Sequence, residues 1–415
     1  MSDKQNNNLR MVKPNWDEIK DRARRRRRRR VIIAVIIVAA CVAAIIAYIV
    51  MIQRITYDDY TVTEEMDRSD TSATRYLAFG EGYVKYSNDG ASYITADNIT
   101  VWNQSYEMEN PMVVTCQSHI AMADRLGETI YILSEEAPQG EITVNMPILR
   151  IDVSDQGNVA VLMEEGGTGY LSLYDQTGVQ IAEGAIHVEN TGTPMDVALS
   201  DDGENMAVSI IDVSSGVART TINIYNFGAA GQNQIDNLVA AFQYEDTIVP
   251  DLAYFGDDTL LAFADTGVYV YEGTSAPEEK NRVEAEGEIQ SIFYNDDYFG
   301  LVYNDLDKES GRVIRVYDTD CRERVSIKTD FSYDSIGFLD NHEICLYNSN
   351  QCYIYTMSGQ RKFVCSFDDE IMGIFRERGY RNYLILKEGV TEEIRLKILD
   401  GNFFVNMWDD LGGTS

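Results

Sequence analysis

One strand-and-turn phrase recurs down this chain and fixes what it can fold into. It is an alternating apolar run that ends in an aromatic, then an acidic or polar residue, then a glycine turn, as in Tyr170-Leu-Ser-Leu-Tyr-Asp-Gln-Thr-Gly178 and Val268-Tyr-Val-Tyr-Glu-Gly273. The tyrosines of five such runs, Tyr174, Tyr225, Tyr271, Tyr317 and Tyr355, follow one another at intervals of 51, 46, 46 and 38 residues. From Tyr76 to Leu399, short runs of Val, Ile, Tyr, Phe and Leu are broken at regular short intervals by Gly, Asn, Asp and Ser, which reads as successive antiparallel strands and hairpins. A period of about 40 to 50 residues with four strands per unit is that of a β-propeller blade. One such sheet cannot bury both faces alone, whereas radial stacking gives each sheet two apolar neighbours.

The expected fold class is therefore all-β, a β-propeller over 75–401, with units beginning near Arg75, Met112, Ile148, Pro194, Val249, Glu288, Tyr333 and Asp369. That makes eight blades; seven is the alternative if the first or last unit is irregular. The last unit has three clear strands, 371–375, 382–387 and 394–399, and lacks its outermost one. The strand-like patch 60–65, inside a juxtamembrane segment 53–74, is the natural donor and would close the ring. After Ile52 the best helix candidate is the short stretch from Gln234 to Tyr244, which also reads as a loop insertion.

Ahead of the repeats, Arg24, Arg25, Arg26, Arg27, Arg28, Arg29 and Arg30 run into a stretch without one charge, Val31 to Ile52. A helix of that length is about 33 Å long, enough for a hydrocarbon core of roughly 30 Å. Basic flanks stay on the cytoplasmic side, so the arginines set a topology with a cytoplasmic tail 1–30, a transmembrane helix 31–52 and an extracytoplasmic propeller. A cleaved signal peptide has a shorter apolar core and a small-residue exit, which Tyr48-Ile-Val-Met-Ile lacks. Val38-Ala-Ala-Cys41 resembles a lipobox, yet the uncharged stretch continues past Cys41 to Ile52 where a lipoprotein turns polar. Residues 402–415 form a C-terminal tail.

Charge divides at the same place. Residues 1–54 hold 13 Lys/Arg and 4 Asp/Glu, leaving 22 and 63 for the rest, so the outer part carries a net charge of -41. Such a domain repels polyanions, which excludes nucleic acid as a partner. Membrane lipid, through the span, and an envelope protein or wall-associated ligand are the partners expected.

Several segments carry a resemblance. Tyr76-Leu-Ala-Phe-Gly80, Tyr86-Ser-Asn-Asp-Gly90 and Trp102-Asn-Gln-Ser-Tyr-Glu-Met-Glu-Asn-Pro111, behind a basic tail and one span, resemble a family of Firmicutes membrane proteins, domain of unknown function 5711. The blades are also loosely similar to quinoprotein and WD40 repeats, through Asp-Gly turns followed by a Val-Trp strand. The resemblance implies a bacterial, membrane-anchored, outward-facing propeller and no particular activity.

No catalytic constellation stands out. The three histidines, His119, His187 and His342, fall in three different units, and GxSxG, a phosphate-binding glycine loop and HExxH are missing from the sequence. The carboxylate pairs Asp201-Asp202, Asp257-Asp258, Asp296-Asp297 and Asp368-Asp369 mostly fall in tight turns, where Asp bonds to nearby backbone. The one metal candidate, for calcium, is the hairpin containing Asp305, Asp307 and Glu309. Its glycine, Gly311, comes one position late for an EF-hand turn and no distal bidentate Glu follows, so a solvated hairpin is the preferred reading and no cofactor is expected. Cys345, Cys352 and Cys365 fall on three successive strands, where buried thiols are preferred over one cross-strand bridge. Function then reads as a non-enzymatic binding or scaffold module of the cell envelope. The alternatives are a hydrolase, lyase or quinoprotein-type propeller enzyme, or a receptor signalling through the arginine-rich tail.

Overall fold

The computed structural model describes residues 29–44, 55–68, 73–95, 97–187, 192–308 and 310–398. Arg24 to Arg28, the C-terminal part of the expected span, Glu309 and the tail 402–415 lie outside them. The chain divides into two units after Ile55. In the first, residues 29–44 are helical, and among the described residues no helix is long and apolar enough to cross a membrane.

The second unit is an eight-bladed propeller. Its described strands form eight four-stranded antiparallel sheets, beginning at residues 75, 111, 148, 193, 251, 289, 335 and 371, each at or beside the start read from the repeat. Within a blade the strands follow one another outward, and the first strand sits innermost, against the first strands of its neighbours. Turns joining the first and second strands, and the third and fourth, therefore share one end of the ring.

Apolar side chains of adjacent blades fuse into continuous cores. Ile130 and Ile132 of blade 2 pack with Val159 and Val161 of blade 3, and Leu261 and Phe263 of blade 5 with Phe299 and Leu301 of blade 6. This is why the middle strands read as near-continuous apolar runs: both of their faces are covered. Trp102, on the fourth strand of blade 1, is 6 % exposed and donates its indole N–H to Ser134 O of blade 2 at 2.8 Å, so it serves packing between blades.

The stretch 234–244, which reads as the best helix candidate after Ile52 or as a loop insertion, forms a turn and a strand. A 3-10 turn, Ile235–Asn237, leads into the outer strand of blade 4, Leu238–Glu245. Asp236 and Asn237 adopt φ of 54° and 58°, which stops a helix. Phe242 and Tyr244 then alternate with exposed residues at the period of a strand and pack on blade 5.

The ring closes with the N-terminal strand β1 (Asp59–Asp67), which lies antiparallel to Val390–Lys397 and supplies the fourth strand of blade 8. Just before it the chain crosses to blade 7. Thr56 Oγ1 donates to Arg361 O at 2.8 Å, Tyr57 N to Lys362 O at 2.7 Å, and Val364 N to Tyr57 O at 3.0 Å. Thus one segment staples two blades. Under it lies a buried polar network: Lys362, 1 % exposed, meets Glu343 Oε1 at 2.7 Å, sits over the Tyr380 ring, and shares Glu343 with the Tyr383 hydroxyl. A second buried pair, Lys387–Glu392 at 2.8 Å, lies in blade 8 itself.

Two outcomes test this closure. Removing residues 1–68 frees the edge of Val390–Lys397, and the product is expected to melt at lower temperature and to self-associate in size-exclusion chromatography, because an unpaired edge templates pairing. Lys362→Met strands the Glu343 carboxylate and should cost about 3–5 kcal/mol in denaturant unfolding, largely recovered by adding Glu343→Gln.

Candidate functional site

The centre of the ring carries charge in an otherwise apolar setting. Inner strands of blades 3, 4 and 5, Ile148–Val153, Thr193–Leu199 and Asp251–Phe255, each hold one aspartate: Asp152, Asp196 and Asp251. Their chain neighbours Val153, Val197 and Leu252 are buried between blades. The innermost strand of a blade has a free backbone edge, and these carboxylates reach it. Asp152 Oδ2 accepts Leu199 N–H at 2.7 Å, and Asp196 Oδ2 accepts Leu252 N–H at 2.8 Å, so each acid bonds the inner strand of the next blade. Asp251 continues the series toward Tyr294 of blade 6, and Arg150 lies 3.6 Å from Asp196.

Depth in the ring decides their protonation. Desolvation pushes Asp152 up to about 7, although backbone N–H donors pull the other way. Asp196 rises to about 8, first through desolvation and then through the Asp251 charge, and Asp251 to about 6 through desolvation. The side chain of Asp196 keeps 14 % of its surface exposed.

At the mouth a second layer forms from turns between first and second strands. Asp155 N donates to Asp201 O at 2.9 Å, and Asp202 N to Asp257 Oδ1 at 3.0 Å, linking the turns of blades 3, 4 and 5. The turn of blade 2 leans over this opening. Ser118 Oγ donates to Asp155 at 2.9 Å, Cys116 Sγ to Asp201 at 3.4 Å, and Gln117 Nε2 to Asp296 of blade 6 at 3.3 Å. In a ring of eight, blades 2 and 6 are opposite, so this turn spans the mouth. Gln117 has φ 46°, the left-handed conformation that lets the turn lean inward.

The same end of the ring carries a cleft of about 870 Å³ at the junction of blades 8 and 1. Tyr83, Tyr93 and Phe375 line it beside Glu81, Asp97, Glu135, Glu136, Asp340 and Glu377, against only two arginines, Arg376 and Arg378. Desolvation, then the charges of Glu393, Asp97 and Glu64, hold Glu377 above its ordinary range.

Of the residues singled out in the sequence, Asp201, Asp202, Asp257 and Asp296 meet in the layer at the channel mouth, whereas Asp305 and Asp307 are not part of it. Asp305 and Asp307 share Lys328, whose ammonium lies 3.2 Å and 3.0 Å from them and supplies positive charge there; the backbone N–H of Asp307 and then Lys328 hold Asp305 below its ordinary range. Among the described residues no group of three or more His, Cys, Asp or Glu is arranged to hold a metal ion. His119 touches Ser118 and His342 touches Asn295, in blades 2 and 7. Asp202 does turn work, accepting Ser200 Oγ–H at 2.6 Å and Glu204 N–H at 2.9 Å. Burial pushes the Cys116 thiol up, so it is no thiolate nucleophile. Sequence reasoning missed the channel aspartates. Their signal was a lone Asp inside an apolar inner strand in three successive units, Ile151-Asp-Val, Met195-Asp-Val and Pro250-Asp-Leu.

The raised aspartates predict a pH dependence. A carboxyl whose folded-state pKa exceeds its unfolded value binds more protons when folded, so its stabilising effect is present at low pH and is lost as pH rises. For Asp152, Asp196 and Asp251 that loss spans roughly pH 4 to 8. Asp196→Asn keeps an acceptor for Leu252 N–H and should raise the melting temperature at pH 8 by about 2–4 °C per kcal/mol regained, with little change at pH 5.

Comparison with known proteins places the chain. The model of a family described as "Family of unknown function (DUF5711)" matches residues 53–396. No curated protein matches. Among solved structures, BamB from Moraxella catarrhalis is similar at 14% identity over 81% of this chain and 100% of its own, with a TM-score of 0.46. The Neurospora crassa Pan2 WD40 domain shows 9% identity over 83% of this chain and 97% of its own, with a TM-score of 0.43. BBS1N, in its complex with ARL6DN, shows 8% identity over 83% and 98%, with a TM-score of 0.42. Similarities this distant carry no argument about activity or partner.

Proposed function

This chain belongs to the family of unknown function DUF5711, and from that premise we propose that it is a non-enzymatic, membrane-anchored binding module whose propeller faces outward from a bacterial cell. The observation that carries the reading is the state of the channel. In a propeller the channel is where a reaction centre would be sought. Here Asp152 and Asp196 are bonded to backbone N–H groups, and the turn at Gln117 spans the mouth. Those carboxyls hold the inner edges of the blades together. That leaves the outer surfaces, above all the acidic turn-bearing end, as the place for a partner.

The anchor rests on the sequence: seven arginines followed by the charge-free run Val31 to Ile52, of which 31–44 are helical. Acidic residues far outnumber basic ones in the outer part, so the partner supported best is a protein or wall-associated ligand with positive charge to offer. Lipid contact is confined to the span.

In-cell crosslinking of a C-terminally tagged full chain, with the anchor fused to an unrelated domain as control, tests this. A reproducible envelope-protein partner that needs the propeller is the expected result. Turnover of a glycan or small-molecule substrate by the purified chain, abolished by Asp196→Asn, would replace the binding reading with an enzymatic one.

A further inference from the structure

Blade 7 contains three thiols in a row across three strands. Cys345 lies on Ile344–Tyr347, Cys352 on Gln351–Tyr355 and Cys365 on Arg361–Ser366. The first two belong to one hairpin, turned by residues 348–350. Its register pairs Tyr347 with Cys352 and Cys345 with Ile354, so the two cysteines are diagonal neighbours on facing strands. Their sulfurs are 3.9 Å apart, and the residues are 4 % and 0 % exposed. Cys365 is directly opposite Cys352 in the next pairing, yet its Sγ–H donates to Ser366 O at 3.4 Å and is half-buried. Of the two neighbours of Cys352, Cys345 is thus the one in sulfur contact.

We infer that the hairpin of blade 7 is a disulfide-forming site, in which Cys345 and Cys352 are oxidised to one another by a disulfide donor as the chain folds. A disulfide needs the sulfurs at about 2.05 Å, so the contact closes by about 2 Å; because diagonal positions stand farther apart than directly opposed ones, closure takes a backbone adjustment of the hairpin as well as side-chain rotation. The reaction is thiol–disulfide exchange. The Cys345 thiolate attacks one sulfur of the donor, forming a mixed disulfide and releasing the first donor thiol. The Cys352 thiolate then attacks the Cys345 sulfur, forming the protein disulfide and releasing the second donor thiol. Two electrons reduce the donor, and the two cysteine protons end on its two thiols.

Burial sets the order of events. In the finished blade, desolvation pushes the Cys352 thiol well above its ordinary range, so exchange there is slow. The hairpin is local, however, and hairpins form in microseconds, long before a ring of eight blades closes. Oxidation therefore belongs to the open hairpin, and burial afterwards shields the bond from reductants. Its place gives it a role: the strand after this hairpin, Arg361–Ser366, receives Tyr57 in parallel pairing, so the bond locks the blade on which the N-terminal staple rests.

The inference takes the donor from the outward-facing reading of the propeller, and the experiment separates the two. The full chain is unfolded, reduced and refolded with oxidised and reduced glutathione, then alkylated and digested with trypsin without reduction. Residues 329–361 hold both cysteines in one tryptic peptide, while Cys365 falls in 363–376. Expected is a 329–361 peptide lighter by two hydrogens and unalkylated, also when Cys365→Ser is refolded, and reduction by dithiothreitol about 100-fold slower in the native than in the denatured protein. Two alkylated cysteines in that peptide, or a link joining it to 363–376, overturns the inference. The same digest on protein taken from the native envelope reads the location: a bond that forms with glutathione and is missing there counts against the outward-facing reading alone.

Discussion

Closure of the ring is the interaction on which the rest depends. Seven of the eight blades draw all four strands from one stretch of chain, and the eighth borrows β1 from the opposite end of the propeller sequence. Without that pairing, blade 8 would present a bare edge and the inner strands would lose the constraint that holds them around a common axis. The loop-closure entropy of joining such distant segments grows only logarithmically with length, so the ladder along β1 outweighs it. The same segment also pairs with blade 7, and the buried Lys362–Glu343 pair beneath it fixes register where a slip would leave a charge stranded.

The channel answers a different demand. Eight blades set the inner strands around a wide axis, and each leaves a backbone edge with no fifth strand to meet it. Apolar residues cannot satisfy those N–H groups. Asp152 and Asp196 can, and the cost is carboxyls so desolvated that they hold protons far above their ordinary range. The turn at Cys116 to Ser118 completes the arrangement by drawing Asp155, Asp201 and Asp296 into one hydrogen-bonded layer. Acidity at the centre is therefore architectural, whereas the cleft between blades 8 and 1 gathers carboxylates around Tyr83, Tyr93 and Phe375 without bonding inner strands to one another.

Much of this could be read from residues. The spacing of Tyr174, Tyr225, Tyr271 and Tyr317 marks the repeat because each ends a strand whose alternation matches the pleat. The missing strand of the last unit pointed to the N-terminal segment because a four-stranded unit with three strands must find another. Sequence pattern left 234–244 between a helix and a loop insertion, because it does not show the left-handed backbone of Asp236 and Asn237. It also passed over Asp152, Asp196 and Asp251, since one aspartate in an apolar strand looks like a surface residue until its neighbours are placed.

Eight blades rather than seven was settled by the structure, while periodicity and charge determined the fold class and the division between a basic N-terminal segment and an acidic body. These are local properties: a pleat has period two, a turn needs Gly or Asp, and a run of arginines stands beside a run of apolar residues whatever the chain does later. Which residues meet across the ring was decided only by the tertiary structure. Gln117 reaches Asp296 and Tyr57 reaches Lys362 because closure brings together segments that lie several repeats apart in the chain, and no pattern within a repeat encodes contacts between repeats on opposite sides of an axis.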